Sequence, residues 1–236
     1  ATYTAAAGEN INLTAGATVT FTSTNDAITF ATGTVDMANG SNLIVNSAGG
    51  DISVVGIAGA SVEDVTLNAA AGNVTVGEIG TAAAEINVVA ITGATINLGG
   101  NINTDDGGGA AGSVSLTGAV VLTADVTIDT DAGDGAVTLS STLNGAFEFD
   151  VSSGGGAVAI QGVTGGTTAL TTLDINNAAG NGTIEVANIG AGAAGVTGVT
   201  RIGNAATATM TLDGTVYNAN AATYTAAAGE NINLTA

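Results

Sequence analysis

LIVNSAGGDISV at residues 43–54 and VTLNAAAGNVTV at residues 65–76 align without a gap, Leu43 on Val65 and Val54 on Val76. Three further segments follow the same plan: VTIDTDAGDGAVTL at 126–139, FEFDVSSGGGAVAI at 147–160 and LDINNAAGNGTIEV at 173–186. Each holds an alternating apolar run that ends at or beside an Asn or Asp, a turn of small residues, and a second alternating run. Alternation at period two marks a strand with one buried face. Two short strands cannot bury that face alone, whereas copies stacked one above another share a common interior. The expected architecture is all-β, a parallel β-solenoid.

Working outward, the second run of the motif recurs at Ile11, Ile28, Ile52, Val74, Ile96, Val114, Val137, Val158, Ile184, Met210 and Ile232. The intervals are uneven, shortest from Ile11 to Ile28 and longest from Val158 to Ile184 and from Ile184 to Met210. A larger repeat encloses these. ATYTAAAGENINLTA at 1–15 returns unchanged at 222–236, so the chain has a period of 221, and the ten short intervals fill it. Residues 1–221 are therefore read as one tandem unit and 222–236 as the start of the next, with adjacent units of the same chain as the primary partners. About ten coils of about 22 residues would extend a unit by about 48 Å at the spacing of neighbouring strands. The two copies of the repeated segment are expected on equivalent coils ten rungs apart. The alternation points Ile52, Val54, Val74, Val76, Ile96, Leu98, Val137 and Leu139 inward, and it assigns Phe21, Phe30, Phe147 and Phe149 to the core.

Composition removes most chemistry. The 236 residues include 37 Gly and no Pro, Cys, His or Trp, and Arg201 stands alone against 20 acidic residues for a net charge of -19. Without His or Cys there is no imidazole-based triad and no His or Cys metal site. One cation cannot hold a polyanion, so nucleic acid is not an expected partner. Arg201 reads as a local charge partner for a neighbouring acidic coil. No apolar run approaches the roughly 20 residues of a membrane helix, so no membrane insertion is expected of this segment. No secretion signal opens the chain, and any signal or anchor is expected outside it. Paired carboxylates such as Asp105 with Asp106, or Asp129 with Asp131, lie in glycine-rich turns lacking aromatic side chains to hold a sugar, and the chain is not read as an enzyme.

Two sets of polar residues remain. In DTDAGDG the carboxylates of Asp129, Asp131 and Asp134 cluster on a short flexible loop, as oxygen ligands do in a calcium loop, and Asp105 and Asp106 make a second acidic turn. Calcium is the one cofactor considered, with diffuse cation screening as the default. The Asn and Asp residues near the strand ends, Asn46, Asn68, Asn103, Asp129, Asp150 and Asn176, are expected to stack from coil to coil as a structural ladder that satisfies turn groups.

The phrases NINLTAGATVTF from Asn10, GAVTLSSTLNGAFEFDVSSGGGAVAIQGVTGGTTALTTLDI from Gly135, and the ATYTAAA that reopens the unit resemble the filamentous haemagglutinin-like and β-strand-repeat surface proteins of bacteria. That resemblance implies a right-handed parallel β-solenoid forming a long shaft, secreted and extracellular or on the cell surface, with no catalytic residues to transfer. A structural filament, stalk or sheath is the expected role, with neighbouring filaments as further partners. An adhesin shaft that binds glycans or host proteins through loops at 107–111 and 190–198 is the alternative.

Overall fold

The structure, a computed structural model, describes residues 1–60, 62–105 and 112–235. Among the described residues there are 23 strands, from Thr2–Thr4 to Ile232–Leu234, and no helix. The strands pair in parallel, each with the strands one turn earlier and one turn later in the chain. The molecule is a parallel β-solenoid.

Each turn of the chain visits three ladders in order. The first ladder opens with Thr2–Thr4 against Ile28–Thr32 and continues through Ile28, Ile52, Val74, Ile96, Val120, Leu143, Thr164, Ile189 and Tyr217. The second runs through Ile11, Val35, Ile57, Ile79, Ile102, Ile128, Val151, Ile175, Ile202 and Tyr224. The third runs through Val19, Leu43, Val65, Val89, Val114, Val137, Val158, Ile184, Met210 and Ile232.

These ladders correct the expected coil number from ten to about nine. The series of motif starts begins on the second ladder at Ile11, moves to the first at Ile28 and stays there through Ile96, then passes to the third at Val114 and stays there through Ile232. Its two shortest intervals, Ile11 to Ile28 and Ile96 to Val114, are steps of two thirds of a turn. The other eight are full turns, so the repeat period spans nine and one third turns. Alternation identifies a strand but carries no information about which face of the coil it occupies. At about 4.8 Å per turn the unit is about 45 Å long.

The two copies of the repeated segment therefore do not sit on equivalent strands. Tyr3 belongs to the first ladder and its twin Tyr224 to the second, while Ile11 belongs to the second and Ile232 to the third. Leu13 is covered by the Val35–Met37 strand and is 7% exposed.

The interior is a continuous column of branched side chains. Ile52, Val54, Val74, Val76, Ile96, Leu98, Val137 and Leu139 are all buried. Phe30 and Phe149 are fully buried as well, but Phe21 and Phe147 are only partly covered and pack against the core from its margin. Phe21 meets Tyr3 and Phe30 at ring separations of 4.8 and 5.1 Å.

Glycine keeps successive turns at strand spacing where the chain bends. Gly112, Gly135, Gly156 and Gly182 precede successive strands of the third ladder. A Cβ added at Gly135 would stand 1.4 Å from the Gly112 carbonyl oxygen, and one at Gly182 would stand 1.9 Å from that of Gly156. No side chain fits at these four levels of that corner.

Replacing Val76 with Asp places an unpaired carboxylate in this dry column, at a cost on the order of several kcal/mol. Val76→Asp should melt far below the parent in a thermal scan followed by circular dichroism, and an unchanged melting temperature would mean that the buried face is wrongly assigned.

Candidate functional site

The Asn and Asp residues near the strand ends fall on two ladders and at different levels. Asn46 stacks on Asn68 in the third ladder, between Thr22 and Thr92. Asn103 stacks on Asp129 in the second, followed by Ser152. Asp150 lies two residues before Ser152 on that strand, between Thr127 and Asp174. Asn176 sits at the corner with a positive φ of 49°. The expected ladder therefore takes the form of short stacks, because the motif that carries it changes ladders along the chain.

These side chains secure backbone at the corners. Asn68 Oδ1 accepts from the Ala70 N–H at 3.0 Å, and Asn103 Nδ2 donates to the Gly80 carbonyl, one turn back, at 3.2 Å. Asn176 Oδ1 accepts from the Ser153 N–H at 2.8 Å while its Nδ2 donates to Ser153 Oγ at 2.9 Å. Asn42, Asn144 and Asn188 hold the coil that follows: their Oδ1 atoms accept from the backbone N–H groups of Asp64, Thr167 and Thr215 at 2.9, 2.9 and 2.7 Å. Such bonds satisfy turn donors that the parallel ladders leave over. The alignment did not reveal these three, because each is recognised only by the coil that stacks on it.

The acidic turn carries two inter-coil bonds of its own. Asp131 Oδ2 accepts from Ser152 Oγ at 3.1 Å, and Asp134, at a positive φ of 54°, accepts from the Gly155 N–H. Asp129 Oδ1 accepts from the Asp131 N–H within the turn at 3.2 Å. Asp105 lies one turn earlier, beside Thr104, whose N–H donates to the Asp129 carbonyl. Asp106 falls outside the described residues. Glu85, which the sequence did not single out, joins them: its carboxyl is raised by burial, then by the charge of Asp105 and a hydrogen bond with it, then by Asp129 and Asp131. Asp129 is raised by burial and by the charge of Asp131. Among the described residues, no group of three or more carboxylates is arranged to hold a metal ion.

Two further carboxylates have defined partners. Arg201 contacts Asp174 on the previous turn of the second ladder, with Nη2 at 2.6 Å and Nε at 2.8 Å from Oδ2. Beneath that pair, Asp150 is raised by its own burial and then by the charges of Asp174 and Glu148, against a lowering contribution from Arg201. Glu63 is fully buried and accepts three backbone N–H groups, from Gly40 at 2.8 Å, Ala60 at 2.6 Å and Val62 at 3.1 Å. It ties the turn before Asp64–Asn68 to the coil below, and no sequence pattern announces it.

The shape offers little enclosure. A small groove runs beside Asp150, Asp174 and Asn176, and a shallow apolar one lies near Val121, Asn144 and Val163. No helix among the described residues is long and apolar enough to cross a membrane. No family model matches the chain, and no curated protein or solved structure matches it.

The raised carboxyls set a pH dependence. A value raised on folding means that ionisation costs more in the folded chain than in the unfolded one. That penalty is present in full above the folded value, shrinks as pH falls through it, and is absent below the ordinary values of 3.8 for Asp and 4.5 for Glu. Thermal stability should therefore rise from pH 7 toward about pH 4, and Asp129→Asn together with Glu85→Gln should flatten the rise. A steady loss of stability over that interval in the parent would contradict this account of the acidic corner.

Proposed function

We propose that the chain is a segment of a structural shaft, an extracellular filament, stalk or sheath built from tandem β-solenoid units. The observation that carries the reading is the pair of identical end segments. Leu13 of the first copy is sealed by the turn that follows it, and the second copy carries the same apolar residue at Leu234. Stacked copies of one repeat share a continuous apolar core and leave no open sheet edge between them. The resemblance to filamentous haemagglutinin-like surface proteins supports the surface location.

The role is mechanical. Backbone hydrogen bonds run between turns along the shaft, and adding units lengthens the object without opening new sheet edges. Removing Glu230, the one acid of the overlap, leaves 19 acids and Arg201, a net charge of -18 for each tandem unit. Over about 45 Å that charge keeps neighbouring shafts apart at low salt, and mobile cations screen it. The adhesin reading has the loop at 190–198 as its surface here, while the loop at 107–111 lies outside the described residues.

Proteins carrying one, two and three units, imaged by electron microscopy, should appear as rods whose length grows in proportion. Binding to a glycan array with no such growth would favour the adhesin reading over the shaft. Calcium compared with sodium at matched ionic strength should give the same melting temperature and the same degree of bundling, because the carboxylates respond to screening. A rise specific to calcium and reversed by chelator would instead show a bound ion, with Asp129, Asp131 and Asp134 and the turn of Asp105 and Asp106 as the first places to look.

A further inference from the structure

Identical sequences normally occupy identical positions in a repeat protein, and here they do not. Thr2–Thr4 and Ala222–Tyr224 share the residues TYT and ATY of the same repeated segment yet lie on the first and second ladders, and Ile11–Leu13 and Ile232–Leu234 lie on the second and third. We propose that, where a further copy of the repeat stacks on Ala222–Tyr224 and Ile232–Leu234, each copy enters one ladder, a third of a turn, out of phase with the copy before it. This deepens the tandem-shaft reading and rests on it.

The occupant is specified by the first copy. There, Ile28–Thr32 covers Thr2–Thr4, with Tyr3 and Phe30 stacked at 5.2 Å, and Val35–Met37 covers Ile11–Leu13. The same two strands of the next copy would cover Tyr224 and Leu234 in the same way, each displaced by one ladder. The three ladders tolerate the exchange. The strand, turn and strand motif bridges the third and first ladders at 43–54 and 65–76, and it bridges the second and third at 126–139, 147–160 and 173–186. A motif that already changes corner within one unit meets no new obstacle between units.

Three copies, at nine and one third turns each, complete 28 turns and restore the phase. The acidic corner of Asp129, Asp131 and Asp134 would then face one side of the shaft in one copy and the other two sides in the next two. On any one side its axial separation grows from about 45 Å to about 135 Å, well beyond the Debye length. Charge is spread around the shaft in place of a single repelling stripe.

The test is a two-copy protein, residues 1–221 followed by 1–236, with Thr211→Cys in the first copy and Asn12→Cys in the second, in a chain that otherwise has no cysteine. Thr211 pairs with the residue at the Asn12 position of the overlap, Asn233, and parallel neighbours at about 4.8 Å fall within the Cα separation that a disulfide accepts. Mild oxidation should form the intrachain disulfide nearly completely, in a rod twice the length of the one-copy protein, about 90 Å against about 45 Å. The reduced variant should melt with the cysteine-free two-copy protein, which shows that the substitutions leave the fold intact. A rod of doubled length without the disulfide overturns the phase shift and leaves the tandem shaft standing. A rod that does not double overturns the tandem reading itself, with or without the disulfide.

Discussion

Every strand in the body of this molecule is held on both sides by the chain's own previous and next turn, at a single strand spacing, and the other features follow from keeping that spacing. Backbone donors and acceptors are satisfied only if each turn returns in register over the last. Turn length is free to vary, because a longer loop at a corner leaves the ladders untouched. The long interval from Val158 to Ile184 therefore stacks as well as the shorter one from Val137 to Val158. What cannot vary is the inward set, which is why Val, Ile and Leu recur along all three ladders while the outward residues drift. Glycine enters for the same reason, since a Cβ at Gly135 or Gly182 would collide with the carbonyl of the coil below.

Stacking also brings like charges together, one strand spacing apart. Asp150 lies next to Asp174 on the second ladder, and Glu85, Asp105, Asp129 and Asp131 gather at one corner. The fold answers in two ways. Arg201 is placed one turn above Asp174 and within 2.6 Å of it. Elsewhere carboxylates are used as acceptors: Asp134 and Glu63 take backbone N–H groups from adjoining turns, so that each is held by hydrogen bonds from the backbone. What is left over appears as the raised carboxyls of Glu85, Asp129 and Asp150.

The sequence disclosed the strands and their buried faces because period-two alternation is a local signal, and Val74, Val76, Val137 and Leu139 are inward as it requires. The ladder assignment was less legible. A strand at Ile28 and one at Val114 read alike although they occupy different faces, and only the short steps from Ile11 to Ile28 and from Ile96 to Val114 betrayed the change. Polar residues were legible only where they sit in the repeated motif, as Asn68 and Asn176 do. Glu63 and Glu85 escaped because their partners are Gly40 and Asp105, a turn away in space and unrelated by any local pattern.

The central claim is that outward positions on one ladder form a straight line rising by one strand spacing per turn. On the third ladder Thr20, Ser115 and Thr211 are linked by successive pairings, four steps from the first to the second and four from the second to the third. Spin labels placed pairwise at these three sites and measured by double electron–electron resonance should give about 19 Å, about 19 Å and about 38 Å. Two equal short distances that add up to the long one are what a stacked coil predicts. A Thr20 to Thr211 distance no longer than the other two would mean that the chain folds back on itself, and the solenoid would be wrong.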